Sequence, residues 1–300
     1  MSVEVFAKQA DTLGESPLWS SAEQMLYWID IGLKRLYRRS LEEDRRHWDL
    51  PSRPGFVERT SDDDLLLGFG GTLHRLSPRT GAIEPVLSVT LVHGARFNEG
   101  RVDGCGRLWF GSMQDNFAED GCPVPVERAI GQVFRLDRSG VISVVEEQVG
   151  ICNTFVWSPD QTRFYSADSL KGTICAYDFH AESGHVANKR VFFSAENLGV
   201  PDGSAMDVDG CIWNARWGAG KIVRIIPSGH LDREVELPVP QPTTCAFGGP
   251  QLDTLFVTSA RLGLTPAQLA QYLLSGSVFA IDSVGQGLPT TGSTVLRSGS

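Results

Sequence analysis

The sequence lacks the features that mark a membrane, exported or nucleic-acid-binding protein. It has no run of about 18 apolar residues, and residues 1–8 lack the basic start and apolar core of a signal peptide. Basic residues are outnumbered, with 27 Lys and Arg against 36 Asp and Glu and a formal net charge of −9. That charge disfavours nucleic acid and anionic membranes as partners. We therefore expect a cytoplasmic protein with neither kind of partner.

Cysteine and histidine motifs are also missing. The six cysteines form no CxxC pair, and the six histidines form no HExxH motif, which argues against a zinc-protease site. We expect the cysteines to be reduced and mostly buried, with Cys152 of interest because it adjoins Asn153, and His93 to lie on the surface. Helix signals are confined to one stretch, where Thr265 can cap, Pro266 opens the helix and residues 267–274 favour it.

What the sequence does contain is a repeat of short strands. One apolar run recurs six times, as Met25 to Asp30, Leu65 to Phe69, Arg107 to Gly111, Arg163 to Ala167, Cys211 to Ala215 and Thr254 to Thr258. Each is followed by a turn and further strand-like runs, in units of about 40 to 55 residues. This pattern predicts an all-β fold, a six-bladed β-propeller with four antiparallel strands per blade, over residues 1–300 as a single domain.

Closure of the ring has two candidates. The last repeat lacks a clear fourth strand, and residues 3–7 form an unassigned strand that could complete it and remove two exposed sheet edges. Alternatively, the Gly- and Ser-rich C-terminus could supply the strand through residues 294–296, or be a loose tail.

The repeat aligns residues that are far apart in sequence. The equivalent positions near the start of the six first strands are Glu15, Gly55, Asn98, Asn153, Asp202 and Thr243. Because the first strand of a propeller blade is innermost, these positions face the central channel. Four of the six carry a carboxylate or an amide, so we expect a polar site at one end of the axis.

Glu15, Asn153 and Asp202 form a candidate metal site within this set. Two carboxylates balance a divalent cation, and their hard oxygens suit calcium, magnesium or manganese. Three protein ligands leave positions open for water and substrate, as catalysis requires. The alternative is that the two acids form turns and that the amide is a satisfied buried group.

Arg96, Asn98 and Glu99 form a second cluster, close to the insertion of residues 112–130. The arginine and the amide can bind hydroxyl or carbonyl oxygens of a polyhydroxylated ligand. Alternatively, Arg96 pairs with Glu99 or with acids of the insertion on a solvated rim. We expect the insertion to cover the channel mouth. Four tryptophans are assigned to packing between blades: Trp19, Trp109, Trp157 and Trp213.

Several of these motifs together resemble one family. The chain reads Gly-Glu-Ser-Pro-Leu-Trp at residues 14–19, Arg-Phe-Asn at 96–98, Val-Asp-Gly-Cys-Gly-Arg-Leu-Trp-Phe-Gly-Ser-Met at 102–113, and Pro-Asp-Gly at 201–203. In this order the motifs resemble the regucalcin/gluconolactonase family of sugar-lactone hydrolases (senescence marker protein type). The resemblance implies a metal site of Glu15, Asn153 and Asp202, with Asp202 also the proton acceptor, and substrate contacts from Arg96 and Asn98.

Three positions depart from the family pattern. Glu99 stands where the family usually has Asp, and Thr154 stands where it usually has Gly. Asn116 stands where animal members have a substrate-contacting Glu, so we include it among the substrate-binding residues. These departures lie outside the three metal ligands, and Glu99 and Asn116 fall at or beside positions that contact the sugar in the family.

The resemblance implies a metal-dependent lactonase that hydrolyses a pentono- or hexonolactone to the aldonic acid. The cofactor would be one divalent ion, with calcium, zinc, manganese, magnesium and iron all open, and the partner would be a small sugar lactone. The oligomeric state, monomer or weak homo-oligomer, is open. The alternatives are a calcium-binding regulatory protein of the regucalcin type and a paraoxonase-like hydrolase of other esters. A further alternative is a receptor-type ligand-binding propeller. Its one supporting motif is Tyr27 to Asp30, which is similar to a YWTD repeat but occurs in one blade.

Overall fold

Six four-stranded antiparallel sheets are arranged as the blades of a propeller in the computed structural model, which describes residues 2–295. In chain order the strands are β1 (Val3–Ala7), β2 (Gly14–Ser20), β3 (Met25–Asp30), β4 (Arg35–Ser40), β5 (Arg45–Asp49), β6 (Phe56–Arg59), β7 (Leu65–Phe69), β8 (Thr72–Leu76), β9 (Ile83–Ser88), β10 (Ala95–Val102), β11 (Leu108–Gln114), β12 (Gly131–Leu136), β13 (Ile142–Val149), β14 (Cys152–Trp157), β15 (Arg163–Asp168), β16 (Thr173–His180), β17 (His185–Ser194), β18 (Val200–Met206), β19 (Ile212–Trp217), β20 (Lys221–Ile225), β21 (Leu231–Glu236), β22 (Pro242–Gly248), β23 (Thr254–Ser259) and β24 (Val278–Asp282). The prediction of a six-bladed propeller is confirmed.

The innermost strands surround the channel. Each of β2, β6, β10, β14, β18 and β22 lies at one edge of its sheet and packs against the innermost strand of the next blade. All six run in the same direction, so their starting residues lie at the same end of the channel. That shared direction is what brings distant residues of the sequence together.

The N-terminal strand closes the ring. Strand β1 pairs antiparallel with β24 and completes the last sheet in the order β1-β24-β23-β22. Phe6 packs edge-on against Phe256 of the same blade, with ring centroids 4.8 Å apart. Of the two closures considered, the N-terminal one is therefore correct.

The described part of the C-terminal segment has a different place. It crosses the end of the propeller opposite to the starts of the first strands. Two isolated β-bridges hold it there, one from Gly287 to Asp207 and one from Ser293 to Thr60. Val295 is buried at 1% exposure in the core between the second and third blades. The expectations that residues 294–296 form a blade strand or a loose tail are wrong for Thr294 and Val295, and Leu296 lies outside the described residues.

Aspartates in the turns after the first strands anchor the blades. The Asp103 carboxylate accepts hydrogen bonds from the backbone N–H groups of Cys105 and Arg107 and from the Trp109 indole. Asp207 does the same for its own turn and for Trp213. One carboxylate thus fixes both the turn and the tryptophan that follows. All four tryptophans assigned to packing are buried, as predicted: Trp19, Trp109, Trp157 and Trp213.

The helical content is small. Among residues 2–295 there is one α-helix, α1 (Pro266–Gln271), and one 3-10 helix (Ser169–Lys171). Thr265 caps α1 in a reciprocal capping box with Gln268, as its sequence predicts, but the helix ends before the predicted residue 274. None of the described helices has the length and apolar character needed to span a membrane.

Candidate functional site

All six residues singled out from the sequence line one cavity of about 430 Å³ at the starting end of the first strands. They are Glu15, Arg96, Asn98, Asn116, Asn153 and Asp202. Ser169 also lies on the polar part of the lining, whereas Trp217 and Leu262 contribute to its apolar walls. The insertion contributes Val124, Pro125 and Val126 as well as Asn116, which agrees with its predicted place at the channel mouth.

Irregularities in the first strands aim the polar side chains at the cavity. The regular pairing with the second strand is broken directly after Glu15 and Asn153, and around Asn98 and Asp202. A bulge of this kind bends a strand and re-aims a side chain. Asn98 and Asp202 lie within such irregularities, so local backbone geometry as well as residue type builds the site.

The two remaining equivalent positions take no part in this lining. Gly55 precedes β6, and a Cβ there would lie 2.4 Å from the backbone of Phe97, so the second blade has no room for a side chain. Thr243 donates its hydroxyl hydrogen bond to the Gly14 carbonyl at 2.5 Å. The polar residues therefore come from four of the six blades.

A chain of hydrogen bonds connects the third, fourth and fifth blades across the site. Arg96 Nη1 donates to Asn98 Oδ1 at 3.0 Å, and Asn98 Nδ2 donates to Asn153 Oδ1 at 3.0 Å. Asn153 Nδ2 donates to Ser169 Oγ at 2.8 Å, and Ser169 donates in turn to the Pro201 carbonyl at 2.6 Å. These bonds fix the amide of Asn153 and end beside Asp202.

Arg96 is largely occupied by its protein partners. Its Nε and Nη2 both donate to Asn116 Oδ1, at 3.0 and 2.8 Å, and Nη1 also donates to the Phe97 carbonyl at 2.7 Å. One of the five guanidinium N–H groups remains for a ligand. Because its oxygen is bound to Arg96, Asn116 has its amide N–H groups left to offer to the cavity.

The carboxylates of the site repel one another in a poorly solvated place. Burial and the charge of Glu99 raise the pKa of Glu15 to about 8. Burial and the charges of Glu15 and Glu99 raise the pKa of Asp202 well above its ordinary value, and Arg96 offsets this only partly. Burial lowers the pKa of Arg96 itself to about 10, despite Asp115 and Glu15 nearby. The site therefore has unbalanced negative charge when both acids are ionised.

Behind Asp202 lies a buried polar network that the sequence did not reveal. The hydroxyl of Thr154 donates to the Asp202 carbonyl and bonds Ser204 Oγ at 2.9 Å. Asn214 Nδ2 also donates to the Asp202 carbonyl, at 2.9 Å, and Arg216 Nη1 donates to Asn214 Oδ1 at 3.1 Å. Thr154 occupies the left-handed region at φ 56°, which is rare for a β-branched residue. No motif spacing marks these residues, since they meet only through the pairing of β18 with β19 and the packing of β14 on β18.

Arg96 does not lie on a solvated rim, and Cys152 is not exposed to the cavity. Arg96 is buried and does not pair with Glu99; it lies 3.9 Å from Asp115 of the insertion, whereas Glu99 lies 3.5 Å from Arg101 inside the channel. Cys152 is fully buried, and burial raises the pKa of its thiol, so it has no reactive character. His93 is exposed, as expected.

The fold and the cavity together define a class of protein: a β-propeller with an acidic, ligand-sized cavity at one end of its axis. Such a cavity suits a cation and a small polar molecule together. Among the described residues, no group of three or more His, Cys, Asp or Glu side chains is placed to hold a metal. The candidate metal ligands Glu15, Asn153 and Asp202 are not a group of that type, because one of the three is an amide.

The chain belongs to the SMP-30/Gluconolactonase/LRE-like region family, whose sequence model matches residues 13–261. It is 33% identical to 6-deoxy-6-sulfogluconolactonase of Pseudomonas putida over 93% of this chain and 94% of that one. It is 35% identical to L-arabinolactonase of Azospirillum brasilense over 95% and 93%. A solved structure of a calcium-binding protein, regucalcin, from Agrobacterium tumefaciens superposes with a TM-score of 0.86 at 27% identity, covering 96% and 97%. The predicted family and the prediction of a gluconolactonase-like enzyme are confirmed.

Proposed function

We propose that this protein is a metal-dependent sugar lactonase that hydrolyses an aldonolactone to the aldonic acid. The observation that carries the proposal is the convergence of Glu15, Asn153 and Asp202 with Arg96 and Asn116 on one cavity. Two relatives aligned over nearly their whole length are named as lactonases of sugar derivatives.

The residues present fit a divalent metal. Glu15 and Asp202 offer two carboxylates whose pKa values are raised by burial and by the charges of neighbouring carboxylates, a repulsion that a bound cation would relieve. Asn153 has its amide nitrogen committed to Ser169, and its oxygen, which accepts one hydrogen bond from Asn98, keeps a second lone pair for the site. Bound by these three groups, a divalent cation would supply Lewis acidity toward the lactone carbonyl and balance the two charges.

The chain's own residues would position substrate and water. Asn116 and the remaining N–H of Arg96 are donors for oxygens of the sugar, and the apolar walls exclude bulk water. Asp202, with its backbone held by Thr154 and Asn214, would accept the proton of the attacking water. The acyl C–O bond of the tetrahedral adduct would then break, and the ring oxygen would take the proton held by Asp202 to become a hydroxyl of the open-chain acid.

The test is a pH-indicator assay on a panel of pentono- and hexonolactones, with chelated protein re-supplied with single divalent metals. We expect metal-dependent turnover that falls by about 10²-fold or more in Asp202→Asn, the usual scale for a positioned base. Asp253→Asn, the same substitution at an exposed turn, is the matched control and should keep full activity. Turnover of Asp202→Asn near the wild-type rate at saturating metal would refute the assignment of the base.

A calcium-binding regulatory role is the second candidate, favoured by the similarity to the calcium-binding regucalcin structure. Calcium titration of the chelated protein, run beside the lactone panel, separates the two. Tight and selective calcium binding without turnover of any lactone would favour regulation over catalysis.

A further inference from the structure

A groove between the first and last blades has a composition opposite to that of the whole chain. It has a volume of about 660 Å³ and lies between residues 7–9, at the end of β1, and the hairpin of β4 and β5. Six basic residues line it: Lys8, Arg35, Arg38, Arg39, Arg45 and Arg46. Successive side chains of a strand face opposite sides, and Arg46 donates to the Pro78 carbonyl of the second blade, so Arg38 and Arg46 lie on the far face of the hairpin. Four positive charges remain for the groove, those of Lys8, Arg35, Arg39 and Arg45. Glu43 is the one carboxylate among the described lining residues, in a protein of net charge −9.

The hairpin places like charges directly opposite each other. Arg39 lies opposite Arg45 on the groove side of the two strands, whereas Arg38 lies opposite Arg46 on the other face. Directly opposed side chains have Cβ atoms about 5 Å apart, and like charges at such positions destabilise a sheet. The opposed pair of Arg39 and Arg45 therefore costs stability, which an anion bound there would offset.

The nearby acids neutralise only part of this charge. Arg35 pairs with Asp49 at 2.7 Å, and Arg39 pairs with Glu43 at 3.0 Å. The four cations of the groove face, Lys8, Arg35, Arg39 and Arg45, therefore exceed their two acidic partners by two (4 − 2). The side chains of Lys8 and Arg45 make no ion pair or hydrogen bond with any residue in the range 2–295.

We propose that this groove binds a small polyanion that carries at least two phosphate or sulfonate groups. Guanidinium groups match the geometry of such anions with paired N–H donors, and opposed arginines can hold two anionic oxygens at once. The volume is that of a small-ligand site, and the negative charge of the rest of the protein repels nucleic acid and anionic membranes. Neither the groove nor its residues take part in the lactonase site, so the proposal stands independently of that activity.

Binding there has a mechanical consequence for the ring. Lys8 follows the strand that completes the last blade, whereas Arg39 and Arg45 belong to the first blade. Arg39 also stacks over Phe6 of the closing strand, 4.6 Å from its centroid. An anion held by both sides ties the first blade to the last, and a ligand that binds only the folded state raises its stability.

The experiment is a calorimetric titration of the metal-saturated protein with inorganic pyrophosphate, together with the ligand-induced change in melting temperature at constant ionic strength. Since pyrophosphate also chelates metals, ethane-1,2-disulfonate serves as a second probe. We expect saturable binding that Arg45→Gln weakens about tenfold, the loss of one charge-assisted contact, and that Arg39→Gln/Arg45→Gln weakens further. Arg79→Gln/Arg233→Gln removes the same charge from exposed sites outside the groove and should bind like wild type.

Three results would overturn the proposal. One is a melting temperature that rises no more with either probe than with sodium chloride at the same ionic strength. Another is equal binding by wild type and Arg45→Gln, a variant whose exposed and unpaired side chain leaves the fold intact. The third is binding of a single-stranded oligonucleotide or of phosphatidylserine vesicles in place of the small anions, which would assign the surface to a macromolecule.

Discussion

Thr154 is the residue whose replacement tests most directly how the site is held. It is fully buried, lies at φ 56°, and uses its hydroxyl to bond the Asp202 carbonyl and Ser204. Two opposing contributions meet here. The left-handed conformation costs about 1–2 kcal/mol in a residue with a Cβ, whereas two buried hydrogen bonds contribute about 1 kcal/mol each.

A series of three substitutions separates these contributions. Thr154→Val keeps the shape and removes the hydrogen bonds to Asp202 and Ser204 together with a longer one of 3.3 Å from Asn214. We expect a loss of about 2 kcal/mol, or roughly 4 °C in melting temperature for a chain of this size. Thr154→Ala and Thr154→Gly both lack the hydroxyl and differ only in the Cβ. Alanine normally stabilises relative to glycine by about 0.4–1 kcal/mol, but at this φ the order should reverse by about 1 kcal/mol.

The assay combines denaturant unfolding with kinetics on the best lactone found in the panel. We expect all three variants to lower kcat more than they change KM, because the Asp202 backbone loses one of its two anchors while the Asn214 bond remains. If Thr154→Ala were more stable than Thr154→Gly, the backbone would not store strain at this position. If Thr154→Val matched wild type in stability and kcat, the hydroxyl would not hold Asp202.

Four further outcomes are expected. Glu15→Gln should weaken metal binding, so that excess metal partly restores turnover; a variant indifferent to added metal would remove Glu15 from the ligand set. Asn116→Glu replaces a donor by an acceptor and should shift relative kcat/KM among lactones by about 1–3 kcal/mol with metal affinity unchanged; an unaltered ranking would make it a rim residue. Deletion of residues 1–8 should lower the melting temperature, because it exposes the edge of β24 and removes Phe6 from Phe256; an unchanged value would contradict ring closure by β1. Burial raises the pKa of Glu58 from 4.5 to about 7. The protonated side chain therefore contributes stability that is fully present below about pH 4.5 and is lost as the pH rises through 7. Glu58→Gln should flatten the fall in melting temperature between pH 5 and 8, and a pH profile identical to that of wild type would refute this.

The sequence alone determined the architecture and the composition of the site. Strand periodicity repeated six times is a local signal, and a short strand buries its apolar face only by packing against neighbouring blades, so the repeat dictates a propeller. The same repeat aligned Glu15, Asn98, Asn153 and Asp202, because equivalent positions of equivalent blades face one channel. Arg96 was singled out by its cluster with Asn98 and Glu99, and Asn116 by the family resemblance, and the structure places both in the same cavity.

Tertiary structure alone decided how these residues are held and what lies around them. The hydrogen bonds of Thr154 and Asn214 to Asp202 join different strands and blades, and no spacing along the chain encodes such a contact. The path of the C-terminal segment across the far end of the channel also depends on turns of distant blades. The basic groove could not be predicted from the sequence, for a related reason. Net charge averages over the whole chain, whereas the local surplus arises only when β1 of the closing blade comes to lie beside the arginines of β4 and β5.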